Sequence, residues 1–171
     1  MIGEDHLLDI VDENDHIIGV AVKDQKYRQG LISRTVVGFV KDRQNRYIIA
    51  KRSPHKKIFA NLWDISTCGN IYSGESCEEA IAREIKEELG FSCKVNFLKK
   101  MYLERLEKGI LLKYFAYFFV GVTDQDPKLN DELTEYKKID LITLMLDIKT
   151  SPDKYSPFFI DELNLVKDRL I

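Results

Sequence analysis

The sequence predicts an α+β fold: a mixed β-sheet held between helices, with an additional β-hairpin at the N-terminus. Three observations carry that expectation. Short runs of β-branched and aromatic residues come in pairs joined by polar turns, as hairpins do. One central segment has the capped, four-residue apolar repeat of an amphipathic helix. Two more helical patterns close the chain, which is the element mix of an α+β domain. The 171 residues, 44% apolar and 32% charged, suffice for one domain with a hydrophobic core.

Taken in order, residues 7–23 read as two short strands that reverse between Asp12 and Asp15, where Asp and Asn supply turn chemistry. After a polar stretch, residues 35–40 and 47–50 form a second hairpin around another polar turn. A loop with Pro54 follows, and residues 62–67 read as a strand. Ser76 with Glu79 predicts a capping-box helix start, and Gly90 a left-handed stop. Between them Ile81, Ile85 and Leu89 recur every four residues and give a stripe toward the sheet. Residues 95–107 and 110–122 read as long strands turning at Lys108 and Gly109, and residues 135–139 as a short one. Residues 142–148 and 158–170 are helical in pattern, the second launched by Ser156 with Pro157 at the first helical position.

Composition excludes several classes. A net charge of -2 offers no basic footprint for a nucleic-acid polymer. The longest apolar run, residues 114–122, is far short of the ~20 residues that span a bilayer. Cys68, Cys77 and Cys93 are odd in number and lack zinc-ligand spacing, which suits reduced thiols in a cytoplasm. The acidic start lacks the layout of a secretory signal.

The central helix raises a chemical question. At ~100° per residue, Glu84, Glu87 and Glu88 share one arc beside the apolar stripe. Like charges at i and i+4 cost a few tenths of a kcal/mol, and an uncompensated cluster raises its own pKa values. A divalent cation removes both problems, and hard oxygen ligands suit Mg²⁺ or Mn²⁺. Arg83, one turn from Glu87, is placed to orient a carboxylate and balance charge. The plain alternative is a solvated charged face, the usual fate of such runs.

The surrounding pattern decides against the plain alternative. From residue 69 to 91 the chain runs Gly69, five residues, Glu75, seven residues, then Arg83, Glu84, Ile85, Glu87, Glu88, Gly90 and Phe91. Seven fixed letters at about 7% usage each give a chance match of about 10⁻⁸ per starting position. The segment resembles the Nudix box at every defined position. The resemblance implies an α/β/α sandwich and a metal-dependent hydrolase of a diphosphate linkage in a small organic or nucleoside diphosphate. It implies that Glu84, Glu87 and Glu88 bind Mg²⁺ or Mn²⁺, with the Gly69 carbonyl as a further ligand, and that Glu75 pairs with Arg83. It makes residues 1–171 one domain, with a hairpin extension over 1–30, the catalytic core over 31–150 and a C-terminal helix over 151–171. The general base remains open among Glu84, Asp131, Glu132 and Glu135.

Outside the box, residues 9–21, 52–66 and 151–159 resemble the branch of the family related to isopentenyl-diphosphate isomerase. Cys68 stands where those isomerases have a catalytic cysteine. Asn70 and Ser33, however, replace two histidines of their metal site, and no carboxylate lies between residues 109 and 117. Hydrolysis is therefore the expectation, with isomerisation or a non-catalytic ligand-sensing module as rivals. Arg52, Lys56 and Lys57 precede a core strand and could meet a phosphate, or form a solvated basic loop. The lone Trp63 reads as core, and His6, His16 and His55 as surface. The partner expected is a small-molecule diphosphate, with neither nucleic-acid polymer nor membrane. Exposed strands in the N-terminal hairpin leave room for a homodimer.

Overall fold

The computed structural model describes residues 6–56, 58–128, 130, 131 and 133–171. Strands β1 (Leu7–Val11) and β2 (Ile17–Val22) form the N-terminal hairpin. Asp12 closes its turn by accepting from the backbone N–H groups of Asn14 at 2.8 Å and His16 at 2.9 Å. Helix α1 (Lys23–Gln29) follows where only a polar stretch was expected. Seven residues with one aromatic and no aliphatic side chain leave no apolar period to read, so the helix is invisible to patterning.

The remaining elements are β3 (Ile32–Lys41), β4 (Arg46–Arg52), β5 (Trp63–Asp64), β6 (Thr67–Asn70), α2 (Cys77–Glu84), β7 (Val95–Glu107), β8 (Ile110–Val122), β9 (Leu133–Asp140), α3 (Leu141–Thr150) and α4 (Pro157–Val166). Among the described residues they build one mixed sheet of nine strands around β3. One edge of β3 pairs in parallel with β8 along its whole length. Its other edge meets β1 at Ile32, β6 over residues 35–38 and β4 at Val40 and Lys41. β7 pairs with β8, and β9 with β4.

The single strand expected over residues 62–67 is two strands on different partners, β5 on β4 and β6 on β3. Ser66 sits where β3 and β4 part. Its hydroxyl accepts from the Val40 N–H at 2.8 Å and donates to the Ile48 carbonyl at 2.5 Å. These two bonds satisfy backbone groups that a continuous ladder would have paired.

Alternation along the strands makes the layers. Val36, Val40, Ile48 and Ala50 face Ile81, Ile85 and Leu89. Their neighbours Val37, Phe39, Tyr47 and Ile49 face Leu144, Phe159, Leu163 and Val166 of α3 and α4. Each such aliphatic or aromatic side chain contributes ~1.5–3 kcal/mol by leaving water. The result is the α/β/α sandwich, with a site-bearing helix on one face and the C-terminal helices on the other.

Candidate active site

Ser76 starts α2 with a complete capping box. Its hydroxyl accepts from the Glu79 N–H at 3.2 Å, and the Glu79 carboxylate accepts from the Ser76 N–H at 2.9 Å. Beyond Glu84 the helix widens into one π turn, Ile85–Leu89, before Gly90 stops it at φ 74. A π turn rotates less per residue than an α-helix and recurs at functional sites. Glu87 and Glu88 are thus re-aimed relative to the arc a regular helix predicts.

Arg83 organises the carboxylates. Its Nε and Nη2 bind both oxygens of Glu75 at 2.8 and 3.0 Å, and Nη2 also donates to the Asn70 carbonyl at 2.9 Å. Nη1 reaches Glu84 at 2.6 Å and Glu87 at 3.4 Å. The guanidinium lies 3.8 Å from the centre of the Tyr72 ring. Burial pushes the Glu75 carboxyl up, but Arg83 and the Tyr72 N–H outweigh it and hold the group below its usual value. Burial works against the Arg83 charge too, and its carboxylate partners reverse that effect and raise its pKa.

Glu88 accepts from the Thr67 hydroxyl at 2.5 Å and from the Cys68 N–H at 3.2 Å. Gly69 lies so close to Glu84 that a Cβ there would fall on the carboxylate. This steric fact gives the first glycine of the box a physical reason. In the arrangement seen, Glu84 leans on Arg83 and Glu88 on β6, and no three His, Cys, Asp or Glu side chains among the described residues enclose a common point. The donor set still fits a hard divalent cation. Three carboxylates and the Gly69 backbone border one cavity, and acidic oxygens are what Mg²⁺ and Mn²⁺ take.

That cavity has a volume of about 740 Å³. Gly69, Glu84, Glu87 and Glu88 form one wall of it, and Arg52 at the end of β4, Lys56 in the loop beyond and Asp131 before β9 also line the cavity. The cavity is lined further by Lys23, Lys26 and Tyr27 of α1, Leu112 and Tyr114 of β8, and Phe158 and Glu162 of α4. Glu75 and Arg83 brace the glutamate wall from behind. Arg52 is held by Asp64 at 3.1 Å, which in turn accepts from the Ser156 hydroxyl at 2.9 Å. Glu135, considered above as a general base, is instead a cross-strand partner of Lys51 at 2.9 Å and stands apart from the cavity wall. Glu132 and Lys57 lie outside the described residues.

Sequence reasoning missed the lining from α1, β8 and α4. α1 gave no periodic signal, and Phe158 and Glu162 read only as parts of a C-terminal helix. A signal for Phe158 existed, since it directly follows the Ser156-Pro157 helix start. Glu162 is buried, and burial pushes its carboxyl up to about 8 against the opposing charge of Arg105, 3.8 Å away. Cys68 also lines the cavity, and burial, then the charges of Glu88 and Asp64, push its thiol well above the usual range.

The pattern of the NUDIX domain family matches residues 32–158. The chain belongs to the Nudix family. Among curated relatives, an isopentenyl-diphosphate Delta-isomerase 2 of Photorhabdus laumondii is 32% identical over 162 residues, covering 94% of this chain and 92% of that protein. An uncharacterized Nudix hydrolase of Streptomyces coelicolor is 38% identical over 92 residues, 54% of this chain and 51% of that one. Among solved structures, DR0079 of Deinococcus radiodurans aligns with a TM-score of 0.69 and 25% identity, covering 85% of this chain and 90% of that one. This Nudix chain is thus similar both to proteins named as isomerases and to proteins named as hydrolases. Among its described residues no helix is long and apolar enough to cross a membrane.

Proposed function

We propose that this Nudix protein is a divalent-metal-dependent hydrolase that cleaves the diphosphate linkage of a small organic or nucleoside diphosphate. The observation that carries the reading is the intact glutamate wall. Glu84, Glu87 and Glu88 border a cavity that Arg52, Lys56, Lys23 and Lys26 also line. Acidic oxygens for a cation and basic side chains for phosphates suit a metal-bound diphosphate better than either half alone. When bound, Mg²⁺ or Mn²⁺ neutralises phosphate charge and lowers the pKa of a coordinated water. Arg83 keeps Glu84 and Glu87 oriented, Gly69 clears the space that Glu84 occupies, and Thr67 steadies Glu88. A carboxylate takes the proton of the attacking water, and Asp131, on the cavity wall, is better placed for it than Glu135. Glu84 remains the alternative within the box.

The test is a panel of nucleoside and organic diphosphates incubated with Mg²⁺ or Mn²⁺, with phosphate and nucleotide products measured. Glu87→Gln and Glu88→Gln should abolish turnover while leaving the fold intact. Wild-type turnover by both variants would remove the reading.

Isomerisation of isopentenyl diphosphate is the second reading, favoured by the Photorhabdus relative and by Cys68 on the cavity wall. Against it, the positions where the isomerase resemblance expects histidines hold Ser33 and Asn70, and residues 109–117 carry no carboxylate. Conversion of labelled isopentenyl diphosphate to its dimethylallyl isomer, lost in Cys68→Ala, would establish this reading over hydrolysis.

A further inference from the structure

Glu162 is 5% exposed, lines the cavity and belongs to α4, which packs on the opposite face of the sheet from the box helix. Its ion pair is loose. Arg105 Nη2 stands 3.8 Å from the Glu162 carboxyl, beyond hydrogen-bond length, while Arg105 Nη1 is held by Asp161 at 3.0 Å. The guanidinium lies 4.5 Å from the centre of the Phe158 ring, and its buried Nε has no hydrogen-bond partner among the described residues. Burial outweighs Arg105, and with its carboxyl raised to about 8 Glu162 keeps its proton at neutral pH. A neutral carboxyl offers an O–H donor beside a carbonyl acceptor. Leu112, Tyr114 and Phe158 also line the cavity, so this polar pair sits in a largely apolar and aromatic lining. An organic group that donates and accepts at once would satisfy it. A hydrocarbon would strip its remaining water and leave it unpaired.

We propose that Glu162 is a specificity-determining residue of this cavity. It selects diphosphates whose organic group presents a hydrogen-bond donor beside an acceptor, as a carboxamide does, and rejects a hydrocarbon chain. The assignment rests on the diphosphate reading above and narrows its substrate class through a residue outside the Nudix box. Cys68 links the two ends of such a ligand: its N–H donates to Glu88 at 3.2 Å, and its side chain lies within the electrostatic reach of Glu162. A short organic group on a diphosphate held at the glutamate wall therefore reaches Glu162. The choice against isopentenyl diphosphate is then made at the organic group as well as at the metal site.

Two esters of methylenediphosphonate, a bridge that water does not cleave, isolate the effect. One carries the isopentenyl chain; in the other a carboxamide of the same shape replaces the terminal alkene and methyl. Isothermal titration with Mg²⁺ at neutral pH should find the carboxamide ester bound about 10- to 100-fold more tightly by the wild-type chain. Glu162→Gln, which keeps a donor and an acceptor, should retain that preference, and Glu162→Leu should reverse it. A purely structural residue would shift both affinities alike. Equal affinities or a preference for the isopentenyl ester in the wild-type chain would overturn the assignment, and so would a preference for the carboxamide that survives in Glu162→Leu. The wild-type and Glu162→Gln comparisons decide the matter even where the leucine variant does not fold. Because neither ester is cleaved, an inactive diphosphate panel would remove the hydrolase reading and leave this preference readable. An active panel with no such preference would remove only the role of Glu162.

Discussion

Glu162 shows how a single buried carboxyl ties this cavity to pH. Its environment raises the carboxyl from a usual value of 4.5 to about 8, through burial that Arg105 only partly offsets. Below pH 4.5 the folded and unfolded chains both hold the proton, so the group costs nothing. Between 4.5 and 8 only the unfolded chain ionises, and stability falls as pH rises; above 8 the fall is complete. Glu162→Gln keeps the neutral shape and removes that slope. Urea unfolding should find the variant equal to wild type near pH 4 and more stable by at least about 1 kcal/mol near pH 8. Parallel stability curves at the two pH values would contradict the account. Arg83 and Glu75 work in the opposite sense. The Glu75 carboxyl lies below its usual value, so that pair stabilises the fold above the ordinary carboxylate range and fades on acidification.

At the scale of elements, the sheet depends on Ser66. β3 and β4 pair directly at only two positions, and the Ser66 hydroxyl bridges them where the strands diverge toward the site. Ser66→Ala would leave the Val40 N–H and the Ile48 carbonyl buried without that partner. The expected loss is about 2 kcal/mol in urea or thermal unfolding, and a change below a few tenths would show that the bridge contributes nothing. The strands, the capping box of α2 and the Gly90 stop could all be read from alternation, capping residues and glycine, because those signals are local. The break of residues 62–67 into two strands was not legible, since it depends on which neighbour each half meets across the sheet. The π turn was equally hidden: Ile81, Ile85 and Leu89 keep an apolar stripe whether or not the last turn widens.

The whole molecule gathers the box carboxylates and basic side chains of α1 and the end of β4 around one cavity, lined also by the starts of β8 and α4. Half of that arrangement lay in the sequence. The acidic wall is contiguous in the chain and carries a motif, so Gly69, Glu84, Glu87 and Glu88 could be named before any fold was known. The rest of the lining is assembled from α1, β8 and α4, and only the topology brings Lys26, Tyr114 and Glu162 together. The position of Glu135 was hidden for the same reason: β9 pairs it with Lys51, away from the cavity that Asp131 lines. The central claim is that the acidic wall is a divalent-cation site serving a diphosphate. Its most direct test is Mn²⁺ binding followed by electron paramagnetic resonance, with inorganic pyrophosphate present. The wild-type chain should take up Mn²⁺ and Glu88→Gln should lose most of that binding; a wild-type chain that leaves Mn²⁺ free, or a variant that binds it equally well, would contradict the account.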